Sequence, residues 1–375
     1  VIGPAAAWAP ALLELPYPHI DPVAVDLPGP LDVRWYGLGY MVGFGAGYLI
    51  LRALVRRGFL RLSLDAVGDL IFALVLGVIL GGRIGYVLVY DFPEFARHPL
   101  KILEIWGGGL SFHGGMVGAI LAGAWFARKH HVSWLNVGDG LALGVGPGIF
   151  AVRCANFVNG ELFGRVASPS VPWAMRFPTD PAAEPLLGVR PGMGLREREL
   201  VVDQAYRSGL WKQVEPRVPL RHPSQLYEAL GEGLLVGLLV WSVWLWNRRR
   251  GVRWGDGAYG GIFLIGYGAV RTFLELFRQP DAQFASATNP LGTVLGPLSM
   301  GQVLSILTAL VGVFFLVRGI RTPSADLAPE PVDALTSADA PASVDVSESV
   351  DASEDGGEHS AQSPGGEGTV PPPAE

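Results

Sequence analysis

The stretch Val67-Gly-Asp-Leu-Ile-Phe-Ala-Leu-Val-Leu-Gly-Val-Ile-Leu-Gly-Gly-Arg-Ile-Gly-Tyr-Val-Leu-Val-Tyr90 decides the class of fold. Only Asp69 and Arg83 interrupt it with charge. A helix rises about 1.5 Å per residue, so a run of this length crosses the roughly 30 Å of hydrocarbon in a bilayer. Similar runs flank it on both sides: Tyr36–Leu54 before it, then Leu110–Phe126, Leu135–Phe157, Leu226–Trp246, Ala258–Phe277 and Met300–Val317. The Leu135–Phe157 run is the weakest, because it holds Asp139, Pro147 and Arg153. The sequence therefore predicts an all-α polytopic membrane protein with seven transmembrane helices. Its 51 Gly and 11 Trp fit that class, because membrane helices tolerate Gly and place Trp at the headgroups.

Basic residues orient the bundle. Arg52, Arg56, Arg57 and Arg61 follow the first span, and Arg128 and Lys129 the third. Arg248, Arg249, Arg250 and Arg253 follow the fifth, and Arg318 and Arg321 the seventh. With seven spans these junctions share one side, and the positive-inside rule makes it the cytoplasm. The amino terminus is then outside. The connection 160–222, rich in Pro and charge, becomes a small extracytoplasmic head inserted into a transmembrane domain of residues 1–322.

The formal charge of −6 is misleading. From Pro323 to Glu375 there are 12 acids and no Lys or Arg, so the remainder carries +6. This Ser-, Pro- and Gly-rich segment has little to bury and is expected to be a disordered cytoplasmic tail. The single cysteine, Cys154, rules out an internal disulfide and a multi-cysteine metal site. No metal, cofactor or nucleic acid is expected. Val1–Leu31, Pro-rich and without a basic start, does not read as a cleavable signal peptide.

An ionisable side chain within a span costs about 2.5–3.5 kcal/mol on insertion scales, so it usually has a partner or a task. Here such residues are numerous. Arg83 shares a face with Tyr86 and Tyr90, and His113 lies within Gly107-Gly-Gly-Leu-Ser-Phe-His-Gly-Gly115. Arg153, Asn156, Asn159 and Glu161 close the fourth span. His222-Pro-Ser-Gln-Leu-Tyr-Glu228 opens the fifth, which continues to Glu232. Tyr267, Arg271 and Glu275 stack at steps of four on the sixth, ahead of Arg278. With the orientation above, His113, Arg153, Asn156, Glu161, Gln225, Glu228 and the Arg271–Arg278 segment converge in the outer half, with Arg83 nearer the middle. Planar guanidinium donors suit phosphate, with Asn and Tyr as neutral donors, so the pattern describes an anionic-headgroup pocket. Each group also has a plainer reading. Arg271 with Glu275 can simply hold helices together, His113 can be an interfacial histidine, and Gly114, Gly115, Gly160 and Gly164 can serve close helix packing. Asp139 and Glu232 lean structural, and Cys154 reads as a small packing residue.

Val152-Arg-Cys-Ala-Asn-Phe-Val-Asn-Gly-Glu-Leu-Phe-Gly-Arg165 resembles the signature of bacterial prolipoprotein diacylglyceryl transferases, whose usual form is G-R-x-x-N-F-x-N-G-E-x-x-G-R. Arg34-Trp-Tyr-Gly37, Gly82-Arg-Ile-Gly-Tyr86, Ser111-Phe-His-Gly-Gly115, His222-Pro-Ser-Gln-Leu-Tyr-Glu228 and Tyr267-Gly-Ala-Val-Arg-Thr-Phe-Leu-Glu275 match that family in its order. Val152, where the family usually has Gly, and the acidic tail depart from it. The resemblance implies seven transmembrane helices with an extracytoplasmic head in the bacterial plasma membrane. It also implies transfer of the diacylglyceryl group of phosphatidylglycerol to the lipobox cysteine of a preprolipoprotein signal peptide, releasing glycerol 1-phosphate. The nucleophilic sulfur then belongs to the substrate. Functional weight falls on Tyr36, His113, Arg153, Asn156, Glu161, Gly164, Tyr267, Arg271 and Glu275. Arg153 and Arg271 are assigned to the phosphate, Asn156 and Tyr36 to the headgroup, and His113 or Glu161 to the thiol proton. Arg83, Gln225 and Glu228 complete the lipid-binding set.

A transporter or flippase for an anionic lipid or metabolite is the competing class, since buried charges alone fit it equally well. Such a protein should show related halves and polar groups reaching both faces; the sequence shows neither. A membrane scaffold is a third class.

Overall fold

The computed structural model describes residues 15–27, 32–89, 92–103, 109–280, 284–286 and 288–323. The acidic tail, the start of the chain and Tyr90 lie outside the described residues. The described chain is mostly helical. A short strand β1 (Val23–Val25) pairs antiparallel with β2 (Val33–Arg34) and leads into α1 (Trp35–Arg56). Helix α2 (Ala66–Val89) follows, then the short α3 (Phe92–Arg97), α4 (Phe112–Lys129), α5 (Trp134–Gly144) and α6 (Gly146–Val158). Three small helices, α7 (Glu184–Leu187), α8 (Leu195–Arg207) and α9 (Leu210–Val214), belong to the long connection. Next come α10 (Ser224–Glu228), a π-helical segment (Ala229–Leu235) and α11 (Val236–Arg249), in one unbroken rod. Helix α12 (Ala258–Leu274), a hairpin of β3 (Thr293–Leu295) and β4 (Leu298–Ser299), and α13 (Met300–Arg321) complete the chain.

Among the described residues, Trp35–Arg56, Ala66–Val89, Ser224–Arg249 and Met300–Arg321 are long and apolar enough to cross a membrane. A fifth span forms if α5 and α6 count together. Helix α12 is shorter, at 17 residues. Helix α4 carries Arg128 and Lys129 in its last turn and falls outside that set. Four to five candidate spans make this a polytopic membrane protein, fewer than the seven read from the sequence.

The sequence suggested one continuous helix over 135–157; the structure bends it by 48° between α5 and α6. Pro147 sits in the first turn of α6, where a missing N–H costs nothing but the preceding helix cannot continue straight. Gly146 fits the bend because a Cβ there would lie 2.9 Å from the Gly233 carbonyl. Asp139, leaning structural in the sequence, accepts from the N–H groups of Gly257 (2.8 Å) and Gly260 (2.6 Å). It thereby satisfies orphan donors at the start of α12, the helix that carries Arg271.

Small residues let backbones meet. Gly77, Gly81 and Gly85 of α2 face Gly114 and Gly118 of α4 so closely that a Cβ on Gly118 would lie 1.9 Å from the Gly77 carbonyl. This is the small-xxx-small packing that associates helices in lipid, and it assigns Gly114 to packing. Buried Leu51, Leu54, Leu70, Phe126, Leu143, Val240 and Trp244 form the apolar core at the end of the bundle where the basic junctions lie. There Arg61 pairs with Asp256, and Arg318 donates to the Asp256 carbonyl (3.0 Å), so the basic junctions after α1 and α13 meet the turn before α12.

Residues 160–222 form a small unit with its own core of Ala183, Leu187, Ala205, Trp211, Val214 and Val218. Arg34 with Glu199, and His19 stacked on Tyr206 at 3.8 Å, tie it to the segment entering α1.

Candidate active site

The signature residues sit where α6 runs out into the 160–222 connection. Asn159 closes the helix, and Gly160 and Leu162 take left-handed conformations at φ +66° and +57°. Left-handed backbone is unusual for leucine and persists only when its surroundings hold it. Here they do: Ser224 donates to the Leu162 carbonyl (2.9 Å) and Gln225 to the Glu161 carbonyl (2.6 Å). The His222–Glu228 motif thus shapes the turn that presents Glu161. Gln225 donates its side-chain amide to the backbone there.

On that turn Glu161 Oε1 accepts from Asn156 Nδ2 (2.8 Å) and Asn159 Nδ2 (3.3 Å). Tyr17 crosses over the same helix end, its hydroxyl donating to the carbonyls of Phe157 (2.7 Å) and Val158 (2.8 Å). Tyr36 and Tyr40 on α1 bring their hydroxyls to 3.5 Å, and the Tyr40 hydroxyl feels the charges of Arg153 and Glu161.

One turn deeper, three guanidinium groups meet three carboxylates. Arg153 on α6 lies 2.9 Å from Glu228 and 3.3 Å from Glu232. Arg271 on α12 reaches Glu275 at 3.2 Å, Glu232 at 3.6 Å and Glu228 at 3.7 Å. Arg278 lies 2.8 Å from Glu228 and 3.5 Å from Glu275. Glu228 and Glu232 are fully buried; Glu228 ends α10, and Glu232 lies in the π-helical segment, a geometry that recurs at functional sites. Glu275 accepts from Ser299 Oγ (3.0 Å) at the start of α13, where the helix dipole favours an anion. Gly301 leaves it room, since a Cβ there would come within 2.6 Å of its Oε1. Arg271 Nη1 is buried and makes no hydrogen bond. Tyr267, one turn back on α12, is within electrostatic reach of Glu232, Arg271 and Arg153.

The structure therefore gathers Arg153, Arg271, Glu275, Glu228 and Tyr267 in one cluster, with Asn156 and Glu161 beside it and Tyr36 next to Tyr40. It puts other candidates elsewhere. Arg83 donates to the carbonyls of Lys101 (2.5 Å), Ile102 (2.9 Å) and Gly109 (3.1 Å), fastening the connection from α2 to α4. His113 is exposed on the first turn of α4, whose main partner is α2. Gly164 is a packing point: a Cβ there would lie 2.2 Å from the Phe277 carbonyl, and its N–H donates to the His222 carbonyl (2.8 Å).

Glu232 and Arg278 were not singled out as site residues from the sequence. The four-residue step from Glu228 to Glu232 was the available signal for the first. For Arg278 the signal was its place three residues after Glu275, with which it pairs at 3.5 Å.

The sequence has relatives. The family model for prolipoprotein diacylglyceryl transferase matches residues 22–318. A phosphatidylglycerol–prolipoprotein diacylglyceryl transferase of Gluconobacter oxydans is 42% identical over 308 residues, covering 82% of this chain and 96% of the relative. Those of Azospirillum brasilense (40% over 314 residues, 84% and 100%) and Legionella pneumophila strain Philadelphia 1 (41% over 301 residues, 80% and 97%) are similar.

Proposed function

The chain belongs to the prolipoprotein diacylglyceryl transferase family, and we propose that it moves the diacylglyceryl group of phosphatidylglycerol onto the lipobox cysteine of a preprolipoprotein. The thiol sulfur attacks the glycerol carbon that bears the phosphate. A C–S bond forms, the C–O bond breaks, and its electron pair leaves with glycerol 1-phosphate; the thiol proton passes to a base.

The observation that carries this reading is the meeting of Arg153 and Arg271, from separate helices, over Glu228 and Glu232, with Arg271 Nη1 buried and lacking an acceptor. Such donors stabilise charge that grows on a departing phosphate, and do so most strongly away from water. A free thiol of pKa about 8.5 is only a few per cent thiolate at neutral pH, so a nearby base helps. Glu161 is better placed than His113 for that task, held by two amides beside the helix that carries Arg153. Asn156 and Tyr36 serve the headgroup.

In this reading the protein crosses the bacterial plasma membrane seven times, with α4 and α12 as spans. Residues 160–222 and the amino terminus lie outside, and the acidic tail in the cytoplasm. Transfer of radiolabel from phosphatidylglycerol labelled in its acyl chains to a lipobox peptide tests the reaction. Absence of labelled thioether with the purified protein would sink it.

A further inference from the structure

Arg278 lies just beyond α12, on a backbone tied to the signature turn. Its residue bridges to Gly164, the Phe277 carbonyl beside it accepts from Arg165 N–H (2.8 Å), and the side chain of the following Gln279 accepts from the Arg221 guanidinium (3.0 Å). Its Nη1 donates to Glu228 Oε1 at 2.8 Å, and its Nε lies 3.5 Å from Glu275 Oε2. The same Glu228 oxygen is 3.7 Å from Arg271. Arg278 therefore engages it, and Arg271 Nη1 is left without a hydrogen-bond acceptor.

The charges explain why this matters. Glu228, Glu232 and Glu275 set against Arg153 and Arg271 alone leave an excess negative charge where a phosphodiester must enter. Like charges at such range, poorly screened by water, repel strongly. Arg278 restores the balance.

Resting on the transfer reaction proposed above, we infer that Arg278 is a positioning residue for lipid binding: it holds Glu228 and Glu275 and so leaves Arg271 Nη1 available to the phosphate. It acts through the glutamates and does not itself contact the lipid. A plain staple between the signature turn and α12 would share its contacts but not its charge dependence.

The test is transfer kinetics with the purified full-length protein in micelles of varied phosphatidylglycerol content, using a lipobox peptide as acceptor. Arg278→Gln should raise KM for phosphatidylglycerol about tenfold or more, because a buried carboxylate loses its counter-charge. Arg278→Lys keeps the charge and should stay within about threefold of wild type. Arg278→Gln combined with Glu228→Gln removes both charges and should bring KM back below that of Arg278→Gln alone. An unchanged KM in Arg278→Gln, or a double variant no better than the single, overturns the inference. Should Arg278→Gln fail to accumulate, Arg278→Lys decides: a KM near wild type supports the charge role, and a tenfold rise refutes it. Wild type without transfer activity would instead sink the reaction itself, and the inference with it.

Discussion

Arg153 places Nη1 2.9 Å from Oε2 of Glu228, a carboxylate with no solvent exposure. An arginine so held is aimed, and its fork offers two parallel donors to a phosphate that a lysine cannot reproduce. Arg153→Ala should lower transfer by about a hundredfold or more while the protein still inserts. Arg153→Lys should recover little of it. Near-normal labelling of a lipobox peptide by Arg153→Ala membranes would remove the phosphate assignment.

Glu228 is the hub of the cluster, within 3.7 Å of all three arginines. Glu228→Gln leaves several cations without their buried partner, so detergent-purified protein should lose about 3 kcal/mol of stability as well as activity. Thermal unfolding in one detergent checks the first, and the transfer assay the second. An unshifted melting temperature would show that the cluster does not depend on this carboxylate.

The polytopic membrane class and the four longest spans were legible in the sequence because apolar runs of this length need no tertiary context. The Arg271–Glu275 pair was legible from helical spacing. The break at Val145 was signalled by Pro147, but not the fold that accommodates it, which depends on Gly233 across the interface. The carbonyl partners of Arg83, on Lys101, Ile102 and Gly109, were not legible, because they lie in the connection after its helix. Long-range partners of that kind leave no local pattern. Arg278 stood in the converging segment, but its role was not legible, because that depends on counting charges that three separate helices contribute.

The base can be assigned by comparing two variants. Glu161→Gln should cut kcat about a hundredfold, the scale of general-base catalysis. His113→Gln should keep the acid limb of the pH–rate profile where wild type has it. Loss of that limb in His113→Gln, with Glu161→Gln still active, would reverse the assignment.

Gly164→Ala forces a Cβ to within 2.2 Å of the Phe277 carbonyl and 2.9 Å of the His222 side chain. The clash should cost about 1–3 kcal/mol and displace the signature turn, with loss of transfer. Gly45→Ala, where no atom lies within 4 Å of the added methyl, is the control and should behave as wild type. Equal activity of the two variants would contradict the packing role.

Asp139→Ala removes both acceptors from the first turn of α12. A lost helix cap costs about 1–2 kcal/mol, so the melting temperature should fall. KM for phosphatidylglycerol should change little, because Arg271 lies at the other end of that helix.

The three guanidinium groups and three carboxylates of the cluster have a kinetic consequence. Charges that cancel over a few ångströms project almost no field into the surrounding lipid, and what remains is screened within about 10 Å at 0.1 M salt. The site does not draw anionic lipids toward it. Capture then follows lateral diffusion and the abundance of phosphatidylglycerol in the leaflet, so its rate is insensitive to ionic strength. On the reaction proposed above, discrimination would begin only once a headgroup had entered and its phosphate competed with Glu228 and Glu232 for the same arginines.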